Sequence, residues 1–200
     1  MSANVPRRQR VQFVLLLLAL FLPVILSSWL YFTGWRPSGT KNYGELMQPA
    51  RPLSELPLRN WAGQPTTLHA LPHKWTLLYI APAQCGGACE QALYNMRQVA
   101  LAQGRERDRV QTVVVSGWES RDWLRYILKD QGGTVALTGS PEELAAFTRE
   151  FSRPQGPAVV GERIYLVDPL RNLSLSYPAN ADPSGMRKDL KHLLKVSQIG

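Results

Sequence analysis

The sequence feature that most constrains the fold is an apolar run followed closely by the chain's two cysteines. Trp75–Ile80 (WTLLYI) contains no charged side chain, which is typical of a strand buried on both faces of a sheet. Residues 81–84 separate this run from Cys85, and Cys89 follows four positions later, where a helical pattern begins. The chain therefore predicts a buried strand that delivers two thiols to the N-terminus of a helix.

Two thiols at a helix N-terminus predict thiolate chemistry. The partial positive charge of a helix N-terminus stabilises an anion by about 0.3–1 kcal/mol, which favours a thiolate at Cys85. Residues four apart lie on one helix face, so the sulfurs of Cys85 and Cys89 can close a disulfide or bind a soft cation such as Cu(I). The spacing differs from the redox Cys-x-x-Cys motif, and one pair cannot complete a four-ligand zinc site. Cys85 and Cys89 are therefore the candidate catalytic residues and the candidate Cu(I) ligands.

An apolar segment near the N-terminus predicts a membrane anchor. Residues 11–35 contain no charged side chain, and three arginines precede them within the first ten residues. A helix of about 20 apolar residues crosses a bilayer, and flanking basic residues favour the cytoplasmic side. A cleaved signal peptide is the alternative, but Trp29, Tyr31 and Trp35 are typical of the interfacial belt of an uncleaved anchor. We expect a single-pass inner-membrane protein whose C-terminal domain lies in the periplasm, where two cysteines can be oxidised.

The rest of the chain alternates between strand and helix patterns. The predicted strands are 58–61, 66–69, 75–80, 110–115, 134–138, 164–167 and 173–177, and the predicted helices begin at Cys85, Ser120, Ser140 and Asp182. This order predicts an α/β fold, a thioredoxin-like arrangement with a mixed central sheet and helices on both faces. The predicted organisation is a basic cytoplasmic N-terminus (1–10), a transmembrane anchor (11–35), a linker (36–55) and a thioredoxin-like domain (56–200).

On these residues the chain resembles the SCO/SenC family of cytochrome c oxidase assembly proteins. The resemblance rests on residues 77–80 leading to Cys85-x-x-x-Cys89, and on residues 164–169 (IYLVDP) followed by a short antiparallel strand. It covers residues 55–196 and the N-terminal anchor. The family implies a single anchor, a thioredoxin fold, and copper bound by the two cysteines and a histidine. It also implies that copper is delivered to, or that cysteines are reduced at, the dinuclear copper site of oxidase subunit II.

One departure from the family pattern changes the expected chemistry. The family histidine lies shortly before the Asp-Pro turn, but the corresponding residues 156–162 contain no histidine. His73 precedes the strand 75–80, which spans about 20 Å, so we expect it at the opposite end of the sheet from the cysteines. We interpret His73, His69 and His192 as surface or half-buried side chains rather than ligands.

We therefore expect a dithiol that acts mainly in redox chemistry. Exchange needs an accessible thiolate and a resolving partner but no histidine, and we assign Cys85 as the attacking thiol and Cys89 as the resolving one. Two thiolates alone can also hold Cu(I) transiently. The expected partners are the membrane and oxidase subunit II or another periplasmic thiol protein. Nucleic acid is not expected, because the net charge of +8 comes without a Lys/Arg run interleaved with aromatics.

Two other functions fit the same residues. One is a general periplasmic thiol–disulfide oxidoreductase, although the three-residue insert 86–88 and the Asp168-Pro169 turn resemble SCO more than thioredoxin. The other is a membrane-tethered interaction module without catalysis, in which a Cys85–Cys89 bond only pins a loop. A loop this short gains little from a cross-link, which disfavours a purely structural bond. The residues alone leave open whether the chain is an enzyme.

Overall fold

The computed structural model describes residues 7–33, 42–129, 132–153, 156–197 and 199, and it divides the chain into two units, 1–40 and 41–200. The first unit contains α1 (Arg7–Phe32), which has no buried residue and a mean hydropathy of 2.6 over 18 residues. At 1.5 Å per residue its 26 residues are about 39 Å long, enough to cross a bilayer. In the described part of the chain this is the one helix with that length and hydropathy, which confirms the predicted candidate for a single span. Trp35, assigned to the aromatic belt, lies outside the described residues.

The second unit is built on a mixed eight-stranded sheet. Its strands are β1 (Glu45–Pro52), β2 (Pro57–Asn60), β3 (Pro65–Thr67), β4 (Trp75–Ile80), β5 (Val110–Gly117), β6 (Thr134–Gly139), β7 (Arg163–Val167) and β8 (Asn172–Pro178). Their order across the sheet is β1-β8-β7-β4-β5-β6-β2-β3. The pairs β4–β5 and β5–β6 are parallel, and the other neighbours are antiparallel.

Helices cover both faces of this sheet. They are α2 (Gly87–Leu101), α3 (Arg121–Leu128), α4 (Pro141–Arg149) and α5 (Pro183–Val196), with short 3-10 helices at Gly104–Arg109 and Trp118–Ser120. Trp75, Leu77 and Tyr79 of β4 pack with the buried side chains of α2, α3 and α5. Leu78 and Ile80 pack on the other face with those of α4. Every residue of β4 is therefore buried, and the predicted thioredoxin-like α/β architecture is confirmed.

The predicted linker extends too far into the domain. Residues 45–52 form the edge strand β1, which pairs with β8 in the register Glu45↔Ser176 and Arg51↔Leu173. The prolines of this segment favour a linker, but an edge strand tolerates proline because one side of it needs no ladder hydrogen bonds. The register shifts between Leu46 and Arg51, as expected where proline interrupts the pairing.

Two predicted helix starts have different outcomes. Ser140 caps α4 as predicted: its Oγ accepts from Glu143 N at 3.2 Å, and the Glu143 carboxylate accepts from Ser140 N at 2.7 Å. Ser120 precedes α3 but makes no capping hydrogen bond with its side chain. Its hydroxyl donates instead to the carbonyl of Ala83 at 3.0 Å. The predicted cap is not formed, because the Ser120 hydroxyl is directed towards this tertiary carbonyl rather than towards the amides of α3.

A buried carboxylate on α5 holds the beginning of the described second unit. Asp189 is 4% exposed and accepts hydrogen bonds from Tyr43 N (2.9 Å), Gly44 N (2.9 Å) and Tyr177 Oη (3.0 Å). A Cβ at residue 44 would lie 2.5 Å from the Tyr177 ring, so the close approach requires glycine. Burial, together with the neighbouring carboxylate, raises the pKa of Tyr177, which therefore remains a proton donor.

We expect Asp189→Ala to destabilise the domain by about 3 kcal/mol or more, because it leaves three donors without their acceptor. The measurement is urea unfolding of the full-length protein in mild detergent, followed by near-ultraviolet circular dichroism. Asp108→Ala is the matched control, since Asp108 is exposed and its loss should change the unfolding free energy by less than about 0.5 kcal/mol. Equal stability of the two variants would contradict the anchoring role of Asp189.

Candidate functional site

Cys85 and Cys89 are joined by a disulfide at the start of α2, with their Cα atoms 5.2 Å apart. Cys85 precedes the helix, Gly86 is the N-cap with extended backbone, and Cys89 lies in the first turn, where its N–H donates to Gly86 O at 2.9 Å. The spacing predicted that the two cysteines share a helix face, and this is wrong, because Cys85 lies before the helix. The turn at Gly86 brings the sulfurs together instead.

The two cysteines differ in exposure. Cys89 is 4% exposed and packs in the core beside Leu93 and Met96. Cys85 is partly exposed and packs only at the edge of the same cluster. An attacking sulfur has to be reached by its target, so this geometry favours the predicted order, with Cys85 outermost and Cys89 behind it.

The loop before Cys85 is held by β5, by the connection that follows it and by the first turn of α3. The N–H of Ala81 donates to Val115 O at 2.8 Å, which extends the β4–β5 ladder by one residue. The carbonyl of Ala83 then accepts two hydrogen bonds, from Ser120 Oγ at 3.0 Å and from Trp123 Nε1 at 2.7 Å. Sequence reasoning missed both contacts, because nothing in the local pattern around residue 120 points to an acceptor 37 positions earlier.

The loop before β7 lies on the other side of the β4 terminus. Gly161 N donates to Ile80 O at 2.8 Å, and Tyr79 Oη donates to Gly161 O at 2.9 Å. Burial raises the pKa of Tyr79, so its hydroxyl stays protonated as the donor. Gly161 has a left-handed φ of 83°, and a Cβ there would lie 3.3 Å from Pro82. Residues 156–162 therefore adjoin the loop that leads to the cysteines, although they contain no histidine.

The three histidines do not join the cysteines in any ligand cluster of the described residues. His73 Nδ1 lies 2.9 Å from Pro169 O, in the β7–β8 turn at the opposite end of β4, as predicted. His192 is exposed on α5, and the Nδ1 atom of His69 is buried without a hydrogen-bond partner. No group of three or more His, Cys, Asp or Glu side chains that could hold a metal occurs among the residues described.

These donors fit only one kind of copper site. Glu90 and Glu162 are exposed, and the thioether of Met96 is buried at 1% exposure, so the described surroundings offer the two sulfurs and no imidazole. A Cu(II) site completed by histidine does not fit this set. The two sulfurs, once reduced, fit a Cu(I) ion, which accepts soft thiolate ligands in low number.

Two adjoining surface pockets border the segment that holds the Ala83 carbonyl. One has a volume of about 690 Å³ and is lined by Trp118, Ser140 and the β2–β3 hairpin. The other has a volume of about 450 Å³ and is lined by α4 and residues 157–160. Glu119 and Pro141 line both. The thiol pair and the pockets thus share the edge at which parallel strands end, where α/β folds commonly bind their ligands.

Comparison with known protein families agrees with this arrangement. The profile of the family described as transmembrane-like, thioredoxin-like, C-terminal domain matches residues 75–197. The chain belongs to this family. The matched region begins at β4, includes both cysteines and ends at the C-terminus of α5.

Individual proteins show the same likeness. A protein of Stutzerimonas stutzeri named "Putative copper-binding protein" is 26% identical over 151 residues, which cover 73% of this chain and 74% of that protein. Arabidopsis thaliana ScoI with copper bound superposes with a TM-score of 0.60 at 21% identity, covering 74% of this chain and 100% of that chain. BsSco, a member of the Sco family of cytochrome c oxidase assembly proteins with a disulfide switch, superposes with a TM-score of 0.57 at 18% identity, covering 74% and 96%. These superpositions confirm that the predicted resemblance to SCO proteins holds for the fold.

In the reduced protein we expect iodoacetamide to alkylate Cys85 at least about tenfold faster than Cys89, because Cys89 is buried in the core. The single-thiol variants Cys89→Ser and Cys85→Ser, reduced anaerobically, report the two rates by mass spectrometry. Repeating the reaction in urea should bring the rates together, which shows that burial is the cause. A faster reaction at Cys89 in the folded protein would contradict the assigned order.

Proposed function

We propose that this protein is a membrane-anchored thiol–disulfide exchange protein that assists the assembly of cytochrome c oxidase. The observation that carries the proposal is the Cys85–Cys89 disulfide at the mouth of α2, with one sulfur partly exposed and the other in the core. A cross-link over so short a loop adds little stability, whereas an outer thiol backed by an inner one is what exchange requires. The fold shared with BsSco, from a family of oxidase assembly proteins, supports the choice of client.

Exchange by this pair proceeds in two steps. The Cys85 thiolate attacks one sulfur of a disulfide in oxidase subunit II, forms a mixed disulfide and releases the first client thiolate. The Cys89 thiolate then attacks the Cys85 sulfur, closes the disulfide and releases the second client thiolate. Two electrons and two protons pass from the protein to the client, so an external dithiol donor must reduce the pair again. The N-terminus of α2 stabilises the Cys85 thiolate before the attack.

The proposed location is the inner membrane, with the N-terminus in the cytoplasm and the second unit in the periplasm. The arginines at the start of α1 and its apolar body support this orientation. The pair of cysteines in the second unit is consistent with an oxidising compartment.

Transient Cu(I) handling is the second candidate function. It is favoured by the relative named for copper binding and by the two sulfurs, which fit Cu(I) as a cargo once they are reduced. The described residues supply no histidine near the pair, so stable Cu(II) binding is not part of the proposal. The same thiols would serve both roles.

In a strain that lacks this gene and grows at low copper, we expect full-length wild-type protein to restore cytochrome c oxidase activity in membranes. Cys85→Ser, Cys89→Ser and the double variant should restore none, because each lacks a thiol that exchange needs. Ala88→Ser is the matched control: it adds a hydroxyl in the same exposed turn and leaves both thiols intact. Wild-type oxidase activity with the double variant would refute the site-based proposal in both forms.

A Cu(I) titration separates the two roles. We expect the reduced full-length protein in detergent to compete anaerobically with a Cu(I) chelator in the picomolar range, and both single Cys→Ser variants to lose that competition. Failure of the reduced wild type to compete would remove the Cu(I) role. It would leave dithiol exchange to be judged by the reduction of a subunit II disulfide in the same preparation.

A further inference from the structure

One side chain from the connection between β5 and α3, and one from the first turn of α3, hold the loop that presents the outer cysteine. Ser120 is fully buried, and its Oγ donates to Ala83 O at 3.0 Å. Trp123 donates to the same oxygen through Nε1 at 2.7 Å. We propose that Ser120 and Trp123 are positioning residues that shift the dithiol–disulfide equilibrium of Cys85–Cys89 towards the disulfide. This inference rests on the proposed exchange function and assigns it two residues outside the cysteine motif.

Cys85 is restrained from both sides. On the side of α2, the Gly86 carbonyl accepts from Cys89 N at 2.9 Å and from Glu90 N at 3.0 Å, whereas a Cβ placed on Gly86 or Gly87 would meet no atom within 4 Å, so packing adds nothing to this backbone restraint. Towards β4 the loop is fixed at Ala81 by the backbone bond to Val115. On the side that precedes Cys85, the two donors on the Ala83 carbonyl are then the described hydrogen bonds nearest to it.

This restraint acts on one partner of the disulfide while the core holds the other. Cys89 is buried in α2 and keeps its place in either redox state, because its neighbours Leu93 and Met96 are core residues. A held loop keeps Cys85 close to Cys89, which raises the effective concentration of one thiol towards the other and favours ring closure. When the Ala83 carbonyl loses a donor, the dithiol gains freedom that the disulfide does not, and the equilibrium moves towards the dithiol.

The reaction that measures this shift is exchange with glutathione. One protein disulfide and two glutathione thiols give the protein dithiol and one glutathione disulfide, so two electrons and two protons pass to the protein. The loss of one net hydrogen bond corresponds to a change of about three- to tenfold in an equilibrium constant. We expect Trp123→Phe and Ser120→Ala each to raise the equilibrium constant for reduction by about that factor, where tenfold is about 30 mV for a two-electron couple.

The experiment uses full-length protein in detergent, equilibrated anaerobically in glutathione buffers, with the dithiol fraction read from the mass added by alkylation. Ser120→Thr keeps the hydroxyl and should stay within about twofold of wild type. Trp75→Phe is the matched control for Trp123→Phe. The Nε1 atom of Trp75 is buried without a hydrogen-bond partner at the far end of β4. Loss of the Trp75 indole should therefore leave the redox equilibrium unchanged, even if it weakens the fold.

The inference is overturned if Ser120→Ala and Trp123→Phe both remain within twofold of wild type. It is also overturned if Trp75→Phe moves the equilibrium as far as they do, because a general loss of stability would then explain the shift. Near-ultraviolet circular dichroism identifies a variant that does not fold, and the small Ser120→Ala and Ser120→Thr pair then decides alone. Failure of the wild type to reduce a subunit II disulfide would count against the proposed function, and it is measured separately from these shifts.

Discussion

The directions of β4, β5 and β7 bring three loops to one end of β4 and so determine the surroundings of the site. β4 and β5 run parallel, so the loops that follow them leave the sheet at the same edge. β7 runs antiparallel to β4, so the loop that precedes it arrives at that edge as well. This is why the cysteine loop, the segment 118–123 and residues 156–162 meet, although they are far apart in sequence. The complete burial of β4 between two helical layers keeps its end in place as the platform for all three.

The sequence predicts the central parts of this fold because their signals are local. The predicted strand at Trp75–Ile80 coincides with β4, because a strand buried on both faces carries no charged side chain and its limits are therefore clear. The capping pattern at Ser140 produces the expected start of α4, because both partners lie within one helical turn. The sequence does not predict β1, because its prolines are compatible with both an edge strand and a linker. Only the pairing with β8 decides between the two.

The site was predictable in its reactive residues but not in its supports. The two cysteines follow from composition and position, because they are the chain's whole supply of thiols. The i, i+4 spacing led to a shared helix face, whereas Cys85 lies before the helix and the pair meets across the Gly86 turn. The hydroxyl of Ser120 looks like a local cap in sequence. Its actual partner, the carbonyl of Ala83, is brought within reach only by the parallel pairing of β4 and β5.

Residues 156–162, where the resemblance to SCO proteins predicts a metal ligand, pack against the domain instead. Val160 and Ala158 pack against the apolar layer beneath α4, and Gly161 is tied to both Ile80 and Tyr79 through its backbone. The left-handed backbone at Gly161 favours glycine, and a Cβ there would lie only 3.3 Å from Pro82, so the close approach disfavours a larger side chain. The loop therefore holds the end of β4 in place through hydrogen bonds and packing, and it contributes no histidine as a metal ligand.

The two proposed roles, redox exchange and Cu(I) binding, use the same two sulfurs, so they would be linked thermodynamically. Cu(I) binds the dithiol and not the disulfide, and every contact that favours the disulfide must weaken apparent Cu(I) binding by the same factor under oxidising conditions. The hydrogen bonds from Ser120 and Trp123 to Ala83 would then act on both roles in opposite directions. Without an imidazole to stabilise the metal-bound state, the balance is set by the geometry of the loop. Under the proposed function, the pair is therefore better suited to dithiol exchange than to retaining Cu(I).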